Sequence, residues 1–174
     1  MTKKQKDQFV VFFTSGFYSG YSPIAPGTFG TLVGILYFIP FMFLDSATYF
    51  IALIALTGIS CYTAHLSNAI HQKVDSGRIV IDEIVGYLFT LLWIPIHFST
   101  REEILWDFLP KVILAFFIFR LFDILKPQPA RWIDTKVKNG AGVVLDDVFA
   151  GIYSNLALRC VLFLWGVSGA KNLL

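Results

Sequence analysis

The chain has 174 residues, 56% of them hydrophobic and only 15% charged, with a net charge of +2; a soluble domain carries about 25% charged residues. A mean hydropathy of +0.66 excludes disorder, the small net charge excludes a nucleic-acid partner, and two cysteines exclude a disulfide scaffold. What remains is an all-α, compact integral membrane protein forming a single domain over residues 1–174.

The basic start MTKKQK leads into an apolar run of five residues, Phe9–Phe13. That is enough for a short N-terminal helix and too little for a signal peptide. Residues 15–31 (SGFYSGYSPIAPGTFGT) carry four glycines, two prolines and several hydroxyls, the composition of a loop. Gly27 and Thr28 close it, with Thr28 a candidate N-cap and the N–H groups behind it a candidate phosphate site. An ordinary interfacial loop is the alternative.

Five apolar stretches follow: Phe29–Leu44, Ala47–Leu66, Ile84–Phe98, Ile104–Leu125 and Val143–Gly169. A spanning helix needs about 20 apolar residues, so five apolar helices are expected, although buried helices of a soluble bundle could read similarly. Cys61 and Cys160 lie inside apolar runs and read as small hydrophobes. His65, His71 and His97 are too scattered for a metal set. If all five stretches span, Lys3, Lys4, Lys6, Lys73, Arg78, Lys126, Arg131, Lys136 and Lys138 fall on one side, against Arg101 and Lys171 on the other. The positive-inside rule makes the nine-charge side cytoplasmic.

Ionisable residues at apolar helix ends are costly and therefore functional candidates. Three groups occur, all toward the basic side: Asp82-Glu83, Arg120 with Asp123 and Lys126, and Asp146-Asp147. Arg120, Asp123 and Lys126 share one helical stripe, and Pro127 ends that helix. Gly86 lies one turn after Glu83, and Gly151 one turn after Asp147. Glycines so placed let helices approach closely, which would gather five carboxylates in one volume. Like charges raise one another's pKa unless a cation intervenes, and an all-oxygen set favours Mg²⁺. An Arg120–Asp123 ion pair that is only structural, and acids that only complement helix N-termini, stay open. The nucleotide-cradle and familiar phosphatase-nucleophile motifs are absent from the sequence, so any hydrolysis would use a metal-activated water.

Four pieces stand in register: YSPIAPGTFGT (21–31), D-x-G-x-I-V-x-D-E-x-V-G (75–86), F-R-x-x-D-x-x-K-P-x-P (119–129) with R-W-x-D (131–134), and D-D-x-x-A-G (146–151). Together they closely resemble the phosphatidylglycerophosphatase A family. The resemblance implies Mg²⁺-dependent removal of the terminal phosphate of phosphatidylglycerophosphate, giving phosphatidylglycerol, at the bacterial inner (cytoplasmic) membrane. It places Asp82, Glu83, Asp123, Asp146 and Asp147 at the family's acidic positions, and Arg120, Lys126 and Thr28 at its basic and loop positions. On this reading Glu83, Asp146, Asp147 and Asp82 hold the metal, and Asp82 or Asp123 orients water. Arg120 and Lys126 neutralise phosphate, and Gly27 and Thr28 grip the head group. The expected partners are an anionic phospholipid and the membrane, with no obligate protein partner. A transporter using the same acids as an ion path is the other class considered; it predicts paired, pseudo-symmetric halves, which the sequence does not display.

Overall fold

The computed structural model describes residues 2–171, with side chains described as far as Trp165; the side chain of Lys171, one of the two opposite-side cations, lies outside them. The described residues are helical, without strands. In chain order the helices are α1 (Lys3–Thr14), α2 (Pro26–Phe41), α3 (Ser46–His71), α4 (Ile81–Thr90), α5 (Arg101–Glu103), α6 (Leu109–Leu125), α7 (Ala130–Lys136) and α8 (Gly140–Lys171). A 3-10 turn, Ser19–Tyr21, precedes α2, and a π turn, Ile104–Phe108, joins α5 to α6. Pro110 contributes to that π turn, because a proline removes one N–H from the helical ladder.

α4 is the axis of the fold. It packs against α2, α3, α6 and α8, and nine of its ten residues are buried. Ten residues rise about 15 Å, half a hydrocarbon core, so the stretch Ile84–Phe98 is not one helix. Pro95 restricts Ile94 to extended backbone, and the chain runs on non-helically to the far end of the bundle. There the indole of Trp93 donates to the Ser46 carbonyl (3.0 Å) and His97 N–H donates to Asp107 (2.7 Å).

The carbonyls left at the end of α4 are satisfied from α8. Asn155 Nδ2 donates to the carbonyls of Thr90 and Leu92 (both 2.9 Å), and Arg159 Nη2 to those of Leu92 and Trp93 (both 3.0 Å). Backbone that ends a helix inside an apolar bundle needs such partners.

Two helical segments, Ser46–His71 and Gly140–Trp165, are long and apolar enough to cross a membrane; α2 is shorter. The outer surface is strongly apolar: Trp106, Ile124, Phe163 and Phe43 are 80%, 72%, 71% and 69% exposed.

α2 begins earlier than the sequence suggests. Pro26 takes the first helical position, where its fixed φ fits and its missing N–H costs nothing, and Ala25 is the N-cap. Thr28 is therefore not an N-cap but lies inside the first turn, where its N–H donates to the Ala25 carbonyl (3.0 Å). Residues 26–31, expected to be loop, are helix for the same reason.

Candidate active site

The N-terminal ends of α2, α4 and α8 and the C-terminal end of α6 meet at one end of the bundle, and all the candidate acids stand there. Asp82 and Glu83 occupy the first turn of α4, where the positive helix end favours negative charge. Asp146 and Asp147 lie in the second turn of α8, whose start is capped by Asn139 Oδ1, accepting from Ala141 and Gly142 N–H (3.0 and 3.1 Å).

The crossing of α4 and α8 brings these acids together. A Cβ on Gly86 would lie 2.6 Å from the Asp147 carbonyl oxygen and 2.6 Å from Phe119; one on Gly151 would overlap the Gly86 carbonyl. Only glycine permits backbones this close, and one turn back from each glycine stands an acid. Asp82, Glu83 and Asp147 each present an oxygen within 4.8 Å of the others. Asp147 also faces Asp123 of α6.

Two cations border the group. Arg120 Nη1 donates to Asp123 Oδ2 (2.5 Å). Lys126, the left-handed C-cap of α6, donates to Asp146 Oδ2 at 2.6 Å and lies 3.2 Å from Asp134 of α7. Asp146 is thus committed through one oxygen to Lys126, and the compact trio is Asp82, Glu83 and Asp147. Gly27 adjoins them: a Cβ there would overlap Glu83 Oε1 and come 3.1 Å from Arg120 Nη1. The Thr28 hydroxyl makes no hydrogen bond among the described residues.

Asp134 received no role from the sequence, although R-W-x-D contained it; its part as second partner of Lys126 depends on the reversal of chain between α6 and α7. Asp75, just before α4, adds negative charge felt at both Asp82 and Asp146. The histidines do not join the site. His71 lies near the Tyr21 hydroxyl (3.3 Å) and the Ser67 carbonyl (2.9 Å), while His97 lies at the opposite end beside Asp107.

The electrostatics are unbalanced. Six carboxylates (82, 83, 123, 134, 146 and 147) face two cations. Two like charges at about 5 Å repel by roughly 3 kcal/mol at an effective dielectric of about 20. Burial above all, with Asp147 and Asp123, pushes the Glu83 carboxyl up to about 8 against the opposing pull of Asp82 and Arg120. Burial, then Glu83, hold Asp82 well above the carboxylate range. For Lys126 burial disfavours the charge, but Asp146 prevails and holds the ammonium form above its ordinary range. Asp82 Oδ1, Glu83 Oε2 and Asp146 Oδ1 are buried without any hydrogen-bond partner. Buried polar atoms are nearly always paired, so three orphaned acid oxygens in one place suit a cation. The donor set is all oxygen, which fits a hard divalent ion such as Mg²⁺.

Comparison with known proteins agrees in kind. The family model described as phosphatidylglycerophosphatase A matches residues 12–162. A phosphatidylglycerophosphatase A of Haemophilus influenzae is 36% identical over 147 residues, covering 84% of each chain. One of Escherichia coli is 37% identical over 139 residues, 80% of this chain and 75% of the relative. A relative from Bacteroides thetaiotaomicron, 38% identical over 145 residues (80% of this chain and 85% of its own), is named provisionally as a phosphatidylinositol-3-phosphatase. No solved structure matches. The transporter alternative gains no support: these matches are phosphatases, and the acids cluster at one end instead of lining a path.

Proposed function

The chain belongs to the phosphatidylglycerophosphatase A family, a phosphatase family, and we propose that its acid cluster binds Mg²⁺ and that it hydrolyses the terminal phosphomonoester of phosphatidylglycerophosphate. The observation that carries this reading is the set of three buried, partnerless carboxylate oxygens on Asp82, Glu83 and Asp146 beside Asp147. Asp82, Glu83 and Asp147 hold the ion, with Asp146 Oδ1 a further donor. Bound there, Mg²⁺ supplies positive charge against the transferring phosphoryl group and lowers the pKa of a water nucleophile.

The protein's own groups do the rest. Arg120 spends one N–H on Asp123 and keeps the others of its five for phosphate oxygens. Lys126 contacts two carboxylates and keeps its third N–H for the same purpose. Both stabilise charge that grows as the P–O ester bond breaks. Asp123, held by Arg120 and facing Asp147, is placed to accept the proton of the attacking water. The leaving glycerol oxygen takes up a proton from water while Asp123 passes its own back to solvent, and inorganic phosphate departs. Gly27, pressed against Glu83 and Arg120, keeps the approach open to a phosphate, and the unpaired Thr28 hydroxyl is a donor to the head group.

The apolar outer surface and the long helices α3 and α8 support a place in a bacterial cytoplasmic membrane, with acyl chains against the helices and the site at the cytoplasmic edge beside its basic loops. The provisional name of the Bacteroides relative defines the second substrate to test, since phosphatidylinositol 3-phosphate carries the same phosphomonoester on another alcohol. Phosphate release is measured from both lipids in mixed micelles, with Mg²⁺ and with EDTA. Release from phosphatidylglycerophosphate that needs Mg²⁺ and is lost in a folded Asp147→Asn chain is expected. EDTA-resistant release would sink the metal role, and preference for the inositol lipid would sink the substrate.

A further inference from the structure

A cleft of about 300 Å³ opens between the C-terminal end of α3 and the start of α8. Ala69, Val74 and the side-chain stems give it apolar walls, into which His65, Asn68, Gln72, Lys73, Lys138 and Asn139 bring polar groups, and no carboxylate lines it. That composition is the reverse of the acid cluster, and the proposed hydrolysis uses none of these residues.

Asn68 is the informative wall residue. It is only 8% exposed, and its Oδ1 accepts the Asp75 N–H (3.2 Å), which fixes the amide orientation. The Nδ2 group is therefore the one left over, and it is buried with no partner. Orphaned buried donors are rare in folded proteins; an acceptor arriving in the cleft would satisfy this one. Around it stand two cations with unused donors. Lys138 gives one N–H to the Asp134 carbonyl (2.6 Å) and has two more. Lys73 makes no side-chain hydrogen bond or ion pair among the described residues.

We propose that this cleft is an anion site for a phosphate group, separate from the acid cluster: Asn68 Nδ2 donates to it, and Lys73 and Lys138 supply the charge. Mobile ammonium groups at the rim with a fixed amide at the base suit an oxyanion bearing several acceptor oxygens. The site is linked to the acid cluster through Lys138, Asp134 and Lys126, which are in sequential contact. The phosphate comes either from the phosphodiester of an anionic phospholipid head group or from free inorganic phosphate.

The test uses the full chain in detergent with EDTA, which removes any divalent ion from the acid cluster, and the lysine variants separate the cleft from that cluster. Inorganic phosphate and, separately, dihexanoyl phosphatidylglycerol below its micelle concentration are titrated in by calorimetry. Lys73→Gln/Lys138→Gln removes both charges from exposed positions, so folding is unaffected. Asn68→Asp keeps the acceptor for Asp75 while replacing the orphaned donor with a negative oxygen. Saturable binding of at least one ligand is expected, weakened tenfold or more in each variant. Binding of the lipid alone assigns the head-group phosphodiester, and binding of phosphate alone assigns the free anion; both uphold the site. Saturable binding of neither ligand, or binding that the double lysine variant leaves unchanged, overturns it. Hydrolysis is read separately with Mg²⁺, so failure here leaves the phosphatase reading standing.

Discussion

Replacing Gly86 with alanine tests whether the α4–α8 crossing is built for the acids or for stability. The added Cβ would start 2.6 Å from the Asp147 carbonyl oxygen, 2.6 Å from Phe119 Cε2 and 2.8 Å from its Cζ. Carbon–oxygen contacts settle at about 3.3 Å, so the helices must part by roughly 0.7 Å. Overpacking of this kind costs about 1–3 kcal/mol, and the higher helix propensity of alanine returns close to 1 kcal/mol. Net stability thus falls by no more than about 2 kcal/mol. Chemistry is far less tolerant: metal ligands hold to within about 0.2 Å, and a 1 Å misplacement can cost about 100-fold in rate. Glu83 and Asp147 sit on opposite sides of the displaced crossing. Gly86→Ala is therefore expected to keep its helical circular dichroism and most of its unfolding temperature. Its phosphate release in mixed micelles should fall by about two orders of magnitude. A variant as active as the parent would refute the claim that this crossing sets the ligand geometry.

Lys126→Gln should lower turnover at least tenfold, because Asp146 loses its counter-charge and the phosphate loses a cation; unchanged phosphate release would remove Lys126 from the machinery. Asn155→Leu strands the Thr90 carbonyl, at a cost of about 1–3 kcal/mol when unpaired, and leaves the Leu92 carbonyl to Arg159 alone. Its unfolding temperature should drop clearly, and a chain as stable as the parent would mean the Thr90 carbonyl finds another partner. With Glu83 pushed up to about 8 from an ordinary 4.5, the folded metal-free chain binds more protons than the unfolded chain between those values. Its stability must then fall as pH rises through that window. In EDTA, unfolding should occur at lower temperature at pH 8 than at pH 6, and Mg²⁺ should erase the difference; stability rising with pH would contradict the burial of this carboxyl.

The sequence made the acids visible because each stands where an apolar run meets a polar loop, a position that local composition reveals. It also made the crossing visible, since Gly86 and Gly151 sit one helical turn from Glu83 and Asp147, and periodicity alone carries that relation. Pairings across the fold were beyond it. Nothing local says that Asp146 turns to Lys126 while Asp147 joins Asp82 and Glu83, because the choice depends on where α7 returns Asp134. The early end of α4 was partly legible in Pro95, but apolar content masked it. Asn155 and Arg159 are polar residues within a long apolar run, and only the three-dimensional arrangement makes them partners for carbonyls more than sixty residues earlier. Thr28 misled because a threonine at the edge of an apolar run reads as a cap, while Pro26 two residues before it takes the first helical position.

The dependence of α4 on α8 also sets an order of assembly. A half-length helix with two acids in its first turn has no stable position of its own in apolar surroundings. Its tip is sealed by Asn155 and Arg159 and its flank by Gly151, all on α8, which follows α4 by fifty residues of chain. Asp82 and Glu83 are thus made early but acquire their partner Asp147 only when the C-terminal helix docks. A nascent chain halted before α8 has no complete ligand trio. The carboxylate trio is therefore completed in a single step, when α8 packs on α4.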